Sequence, residues 1–181
     1  MVETQGVVTT MYRPIVALTI ALLLAAGSAQ AQGKGNVAAE KAAVEKTVRA
    51  SIGWALTKDR PLLESVMAHD PELFIFNPDS KSVVGWDEFV KGFSFWMDPR
   101  FKATVFDLRD LRIGLSRGGD VAWFSGILDD LAEWDGKPIG WKDTRWTGVL
   151  EKRDGRWVIL QMHFSFASDR MKAEAAAAAK K

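Results

Sequence analysis

The chain has no cysteine, one tyrosine and two histidines. Without thiols it holds no disulfide, no thiolate metal site and no cysteine nucleophile. Two imidazoles, His69 and His163, are too few for a histidine-built metal cage, so no metal is expected. An excess of one charge is lacking as well. Lys and Arg total 24 against 23 for Asp and Glu, and no face is strongly basic, so nothing recruits nucleic acid. No glycine-rich phosphate loop occurs at a recognised spacing, and no cofactor is implied.

The one long apolar run lies near the start. Arg13 precedes Ile15 to Ala26, and small and polar residues then lead to Ala29-Gln30-Ala31, the form of a signal-peptidase site. Residues 1–31 are therefore expected to be a cleaved signal peptide, with Met11 a candidate for the true start. The run is shorter than the ~20 residues a membrane helix needs, so no stable membrane anchor is expected and the protein is placed in the periplasm or outside the cell. Residues 32–36 read as a linker, 37–168 as one domain, and the Ala- and Lys-rich 169–181 as a flexible tail.

Within the domain, Val44, Val48, Ile52, Ala55 and Leu56 recur at helical spacing in an Ala-rich stretch from Val37 to Lys58. Asp59 caps a second, short helix with Pro61 in its first turn, stopped by His69-Asp70-Pro71. Brief strands around Phe76 and Val83 flank the turn Asn77-Pro78-Asp79. Trp86, Phe89, Val90, Phe93 and Met97 then mark a third helix that Asp98-Pro99 ends. Strands follow to the end, Thr104 to Leu115, Val121 to Glu133, and a hairpin from Trp141 to Ser168. Helices before a long antiparallel sheet indicate an α+β fold with helices covering one face.

The hairpin turns at Arg153-Asp154-Gly155-Arg156, and its register decides which side chains share a face. A two-residue loop sets Arg145 opposite Phe164 and mixes charge with bulk. A three-residue loop, with Gly155 in the left-handed bulge position, sets Asp143 opposite Ser165, Arg145 opposite His163 and Thr147 opposite Gln161. Polar and apolar residues then separate cleanly, which favours the second register. The opposite face of the last strand, Val158, Leu160, Met162, Phe164 and Phe166, is too apolar to be left in water, so a homodimer through it is expected.

Arg145-Trp146-Thr147-Gly148-Val149-Leu150, Asp154-Gly155-Arg156-Trp157 and Gln161-Met162-His163-Phe164-Ser165, with the order of elements, resemble the SnoaL-like branch of the nuclear transport factor 2-like superfamily. The resemblance covers about Val37 to Ser168. It implies an α+β cone, three N-terminal helices packed in the concave face of a curved antiparallel sheet around a pocket, with frequent dimers through the outer sheet face. Isomerases, dehydratases, cyclases, binders and assembly modules share that fold, so it leaves the activity open.

His163 is a candidate general acid or base, or else a hydrogen-bonded structural histidine. Arg145 suits a carboxylate or enolate oxygen, or an internal salt bridge to Asp143 or Asp129. Gln161, Ser165, Asp143 and Thr147 converge on the pair as candidate ligand-binding groups. Asp129 and Asp130 point to opposite faces, and a three-residue Trp134-Asp135-Gly136 loop makes Asp129 the inner one, a candidate base or a salt-bridge partner. Trp54 and Trp123 are the tryptophans expected in an apolar cavity, while His69 reads as a surface or capping residue. The sole tyrosine, Tyr12, lies in the expected signal, which excludes a tyrosine oxyanion donor of the ketosteroid isomerase kind. The expected function is a secreted pocket protein for a small apolar molecule bearing a carbonyl or carboxylate. It is either a cofactor-independent isomerase or dehydratase, or a non-catalytic binding or assembly module.

Overall fold

The computed structural model describes Met1 and residues 36–169, so nearly all of the expected signal segment and of the expected tail lies outside the described residues. Contacts divide the chain into the units Met1–Glu40 and Lys41–Lys181, and the second holds the sheet and the core.

Helix α1 spans residues 36–53 and buries Val44, Thr47, Val48 and Ser51, spaced three and four apart as one helical face requires. It tightens into a 3-10 turn, Trp54–Leu56. In α2, Arg60–Val66, the Asp59 carboxylate accepts the Leu62 N–H at 3.0 Å, the cap expected from sequence. The third amphipathic stretch is broken: α3, Trp86–Phe89, passes through a 3-10 turn, Val90–Gly92, into α4, Phe93–Trp96. Two short strands, β1 (Phe74–Phe76) and β2 (Ser82–Val84), lie between α2 and α3.

Four long strands follow, β3 (Phe101–Leu115), β4 (Val121–Trp134), β5 (Lys137–Arg153) and β6 (Arg156–Ser165). They form the expected meander, and the whole six-stranded sheet runs in the order β2-β1-β6-β5-β4-β3. It is mixed rather than wholly antiparallel, because β1 docks parallel to β6 and closes what would otherwise be a bare edge. Register shifts in β3, between β4 and β5, and between β5 and β6 bend the sheet around the helices.

The hairpin register corrects the sequence reading. Arg153 faces Arg156 across a two-residue turn, Asp154-Gly155, with both residues at positive φ (50° and 77°), the type that matches strand twist. A bulge at Leu160 then restores segregation of the faces. Beyond it Arg145 faces Ser165, Thr147 faces His163 and Trp146 faces Phe164, two residues away from the expected pairing. Beyond the bulge the grouping into one polar and one apolar face survives with its assignment inverted, whereas nearer the turn Trp157 and Ile159 join the core and Val158 does not. Trp146, Leu150, Ile159, Met162 and Phe164 are all buried under the chain's own helices, while Arg145, Thr147 and His163 are exposed. Of the residues expected to meet a second subunit, Met162 and Phe164 are thus already covered, each 3 % exposed, and Leu160 and Phe166 are half-buried.

Candidate functional site

Between the helices and the inner sheet face lies a cavity of ≈ 150 Å³. That matches an engineered cavity large enough for benzene, so the space suits a molecule of about one ring. Its helical wall is Ser51, Ile52, Trp54, Ala55, Leu63, Phe89 and Trp96; its sheet wall includes Ile75, Val83, Phe101, Asp130, Trp141, Met162 and Phe164, and Asn77 completes the lining. Trp54 packs edge to face on Phe93 and Trp96 at ring separations of 6.1 and 6.0 Å, fixing the indoles by perpendicular contacts. Trp141 tilts against Phe164 at 5.4 Å on the opposite wall.

Asp130 is the charged residue in this lining. Even-numbered β4 residues, Ala122, Phe124, Leu128 and Ala132, are buried, and period-two alternation carries Asp130 onto the same face. Across the ladders it meets Phe106 and Trp141, two aromatic neighbours. No hydrogen bond or ion pair reaches its carboxylate among the described residues, and burial alone pushes its pKa up to about 6. A residue poised there exchanges a proton near neutrality, as a general acid–base needs. Gly140 makes the local geometry possible: at φ 112° it packs so close that a Cβ would meet the Asp130 carbonyl oxygen at 2.2 Å.

Asp129 therefore does not line the cavity, contrary to the expectation. Asp135-Gly136 is a two-residue turn with Trp134 facing Lys137, and β5 inserts its extra residue opposite Asp129. Asp129 lies on the outer face, where the Arg109 guanidinium grips it at 3.0 and 3.3 Å and the Asp143 N–H donates to it at 2.7 Å. Arg109 also binds Asp143 at 2.7 Å and Asp107 at 3.0 Å. The guanidinium is the main cause holding the Asp129 carboxyl below the ordinary value. The salt bridge weighed for Arg145 thus belongs to Arg109.

Arg145, Asp143, Thr147, Gln161, His163 and Ser165 share that outer face and line no wall of the cavity. His163 packs edge to face on Phe76 at 5.7 Å. Of the expected indoles, Trp54 lines the cavity, whereas Trp123 stands 52 % exposed on the outer face. His69 is exposed, stacked on Trp86 at 3.7 Å, with Nε2 2.7 Å from the Glu64 carbonyl oxygen. In the sequence a three-residue turn would exclude Asp130 from the cavity, and no motif marks Asn77, Ser51 or Trp96 as lining it. The signal that finds Asp130 is the burial-side parity of Ala122, Phe124 and Leu128 along the same strand.

The model of the SnoaL-like domain matches residues 44–169. The chain belongs to the SnoaL-like domain family. No curated protein matches it. Among solved structures, the SnoaL-like domain is similar to a candidate dehydratase of the NTF2-like family from Streptomyces avermitilis (16 % identity, 72 % of this chain and 97 % of that one, TM-score 0.60). It is also similar to the CamKII hub homology domain of Chlamydamonas reinhardtii (21 % identity, 71 % and 98 %, TM-score 0.54). A third likeness is to a candidate ketosteroid isomerase from Shewanella frigidimarina (21 % identity, 66 % and 91 %, TM-score 0.50). At these identities the likeness establishes the α+β cone fold and leaves the chemistry to the site.

Proposed function

We propose that this SnoaL-like domain binds a small, largely apolar molecule in the Asp130 cavity and transfers a proton there without a cofactor, in a reaction of the isomerase or dehydratase type. The observation that carries the reading is a carboxylate without a partner among the described residues, set in an aromatic hollow, with its pKa pushed up to about 6 by burial. Asp130 takes a proton from a carbon or oxygen of the ligand and returns it elsewhere, while Ser51, Asn77 and the indole N–H groups orient the polar end. Among the described residues no arginine, lysine or histidine lines the cavity, so a carboxylate-bearing ligand loses the anchor expected of Arg145. The names of the Streptomyces and Shewanella neighbours point in the same direction. Turnover screening against small enolisable or hydroxylated compounds tests it. Asp130→Asn is expected to lower kcat at least a hundredfold while His163→Ala leaves it unchanged; an Asp130→Asn protein of full activity rejects the mechanism.

A second reading, assembly, rests on the outer face. Paired residues there run in two rows across the sheet, Val84-Phe74-Gln161-Val149-Trp123 and Ser82-Phe76-His163-Thr147-Ser125. Val84, Phe76 and Trp123 are each about half exposed or more, an apolar patch that suits a second copy of this chain, and a structural neighbour is named a hub domain. The homodimer proposed here uses this face in place of the Val158–Phe166 one. Sedimentation of Trp123→Glu should give half the wild-type mass; an unchanged mass removes the face from consideration. Export is proposed from the Arg13 to Ala31 pattern, and mass spectrometry of the secreted or periplasmic protein should find Gln32 at its start.

A further inference from the structure

The cavity's chemistry points to the charge of its occupant. Of the fifteen described residues that line it, six are aromatic: Trp54, Phe89, Trp96, Phe101, Trp141 and Phe164. The charged one is Asp130, and the remaining polar lining is Ser51 and Asn77. Ser51 donates its hydroxyl proton to the Val48 carbonyl at 2.8 Å, so what it offers the cavity is an acceptor. Ring faces carry negative potential, a carboxylate carries a full negative charge, and among the described residues no lining side chain carries a positive one.

We propose that the ligand is a small organic monocation, a primary or quaternary ammonium of about one ring's size, held between the Asp130 carboxylate and the surrounding rings. This rests on the reading of the Asp130 cavity as the ligand site. An anion meets repulsion from Asp130 and the ring faces together. A neutral molecule leaves an ionised carboxylate buried without a counter-charge, at a desolvation cost that binding does not relieve. A cation removes that cost and adds attraction to the π faces, which strengthens as water is excluded. The perpendicular setting of Trp54 against Trp96, 83° between planes, presents ring surfaces in two directions, as enclosure of a rounded ammonium head requires.

Calorimetric titration of the purified protein at pH 7.5 with benzylammonium and with benzyl alcohol, near isosteres differing in charge, tests this. Benzylammonium is expected to bind at least tenfold tighter, with Asp130→Asn erasing the difference. A measurement on the unaltered protein is independent of that variant's folding: the Asp130 carboxyl, followed by NMR, should titrate at lower pH in saturating benzylammonium. Asp130 is the one titratable side chain among the described lining residues, so affinity should also weaken as pH drops below 6. Equal affinity for the two compounds overturns the monocation while leaving the cavity as a ligand site. Failure of both to bind overturns the monocation and the ligand-site reading together.

Discussion

Asp130 carries the sharpest consequence of any single residue. Its protonated form is the one the fold prefers, so the folded protein holds a proton that the unfolded chain, with a carboxyl near 3.8, gives up. That contribution is complete below pH 4 and is lost as pH rises through about 6. Asp130→Asn keeps the shape and removes the charge. It should stabilise the protein by about 2–3 kcal/mol at pH 8 and by nothing at pH 4, measured by chemical denaturation. Asp129 works in the opposite sense: its lowered carboxyl supports the fold above the ordinary carboxylate range and ceases to as pH falls through its folded value. Arg109→Met should lower stability at neutral pH, and by less in high salt, because the guanidinium is 38 % exposed; denaturant midpoints at low and high salt check it. Two adjacent aspartates thus respond to acid in opposite directions, and alternation across the strand is the reason.

At the scale of elements, the β5–β6 hairpin was the most legible part of the chain and also the place where the reading failed. Alternation separated Arg145, Thr147 and His163 from Trp146, Met162 and Phe164 correctly. The step from that separation to "polar means pocket" did not hold, because the helices present Val44, Val48, Trp54 and Leu63 and need an apolar surface to bury. Turn length was misjudged at both Asp-Gly sites, since Asp154 and Asp135 accept positive φ and allow two-residue turns. The bulge at Leu160 leaves no mark in sequence because any residue can occupy it. Phe164 stacks on Trp146 at 5.7 Å, so Phe164→Ala should cost about 3–5 kcal/mol of stability, whereas Thr147→Ala on the outer face should stay within about 0.5 kcal/mol. Denaturant midpoints of the two variants decide which face is the core.

For the molecule as a whole, the cavity is small against the body that surrounds it, and its walls come from all four α-helices and all six strands described. A ligand seated there couples to global unfolding. At one hundred times its dissociation constant it should add about 2.7 kcal/mol and raise the melting temperature by roughly 5–10 °C, read by a thermal shift assay. An occupant of the outer face alone, bound between two copies, would instead make the melting temperature depend on protein concentration. Sequence by itself determined the α+β class, the helix cap at Asp59, the meander, the exclusion of thiol chemistry and the two-faced character of the last hairpin, because each follows from spacing and local backbone preference. The tertiary structure decided which hairpin face turns inward, which of two neighbouring aspartates meets the cavity and which arginine neutralises the other. Those depend on bulges that shift strand pairing and on where the helices dock, and both are settled by the burial of surfaces far apart in the chain.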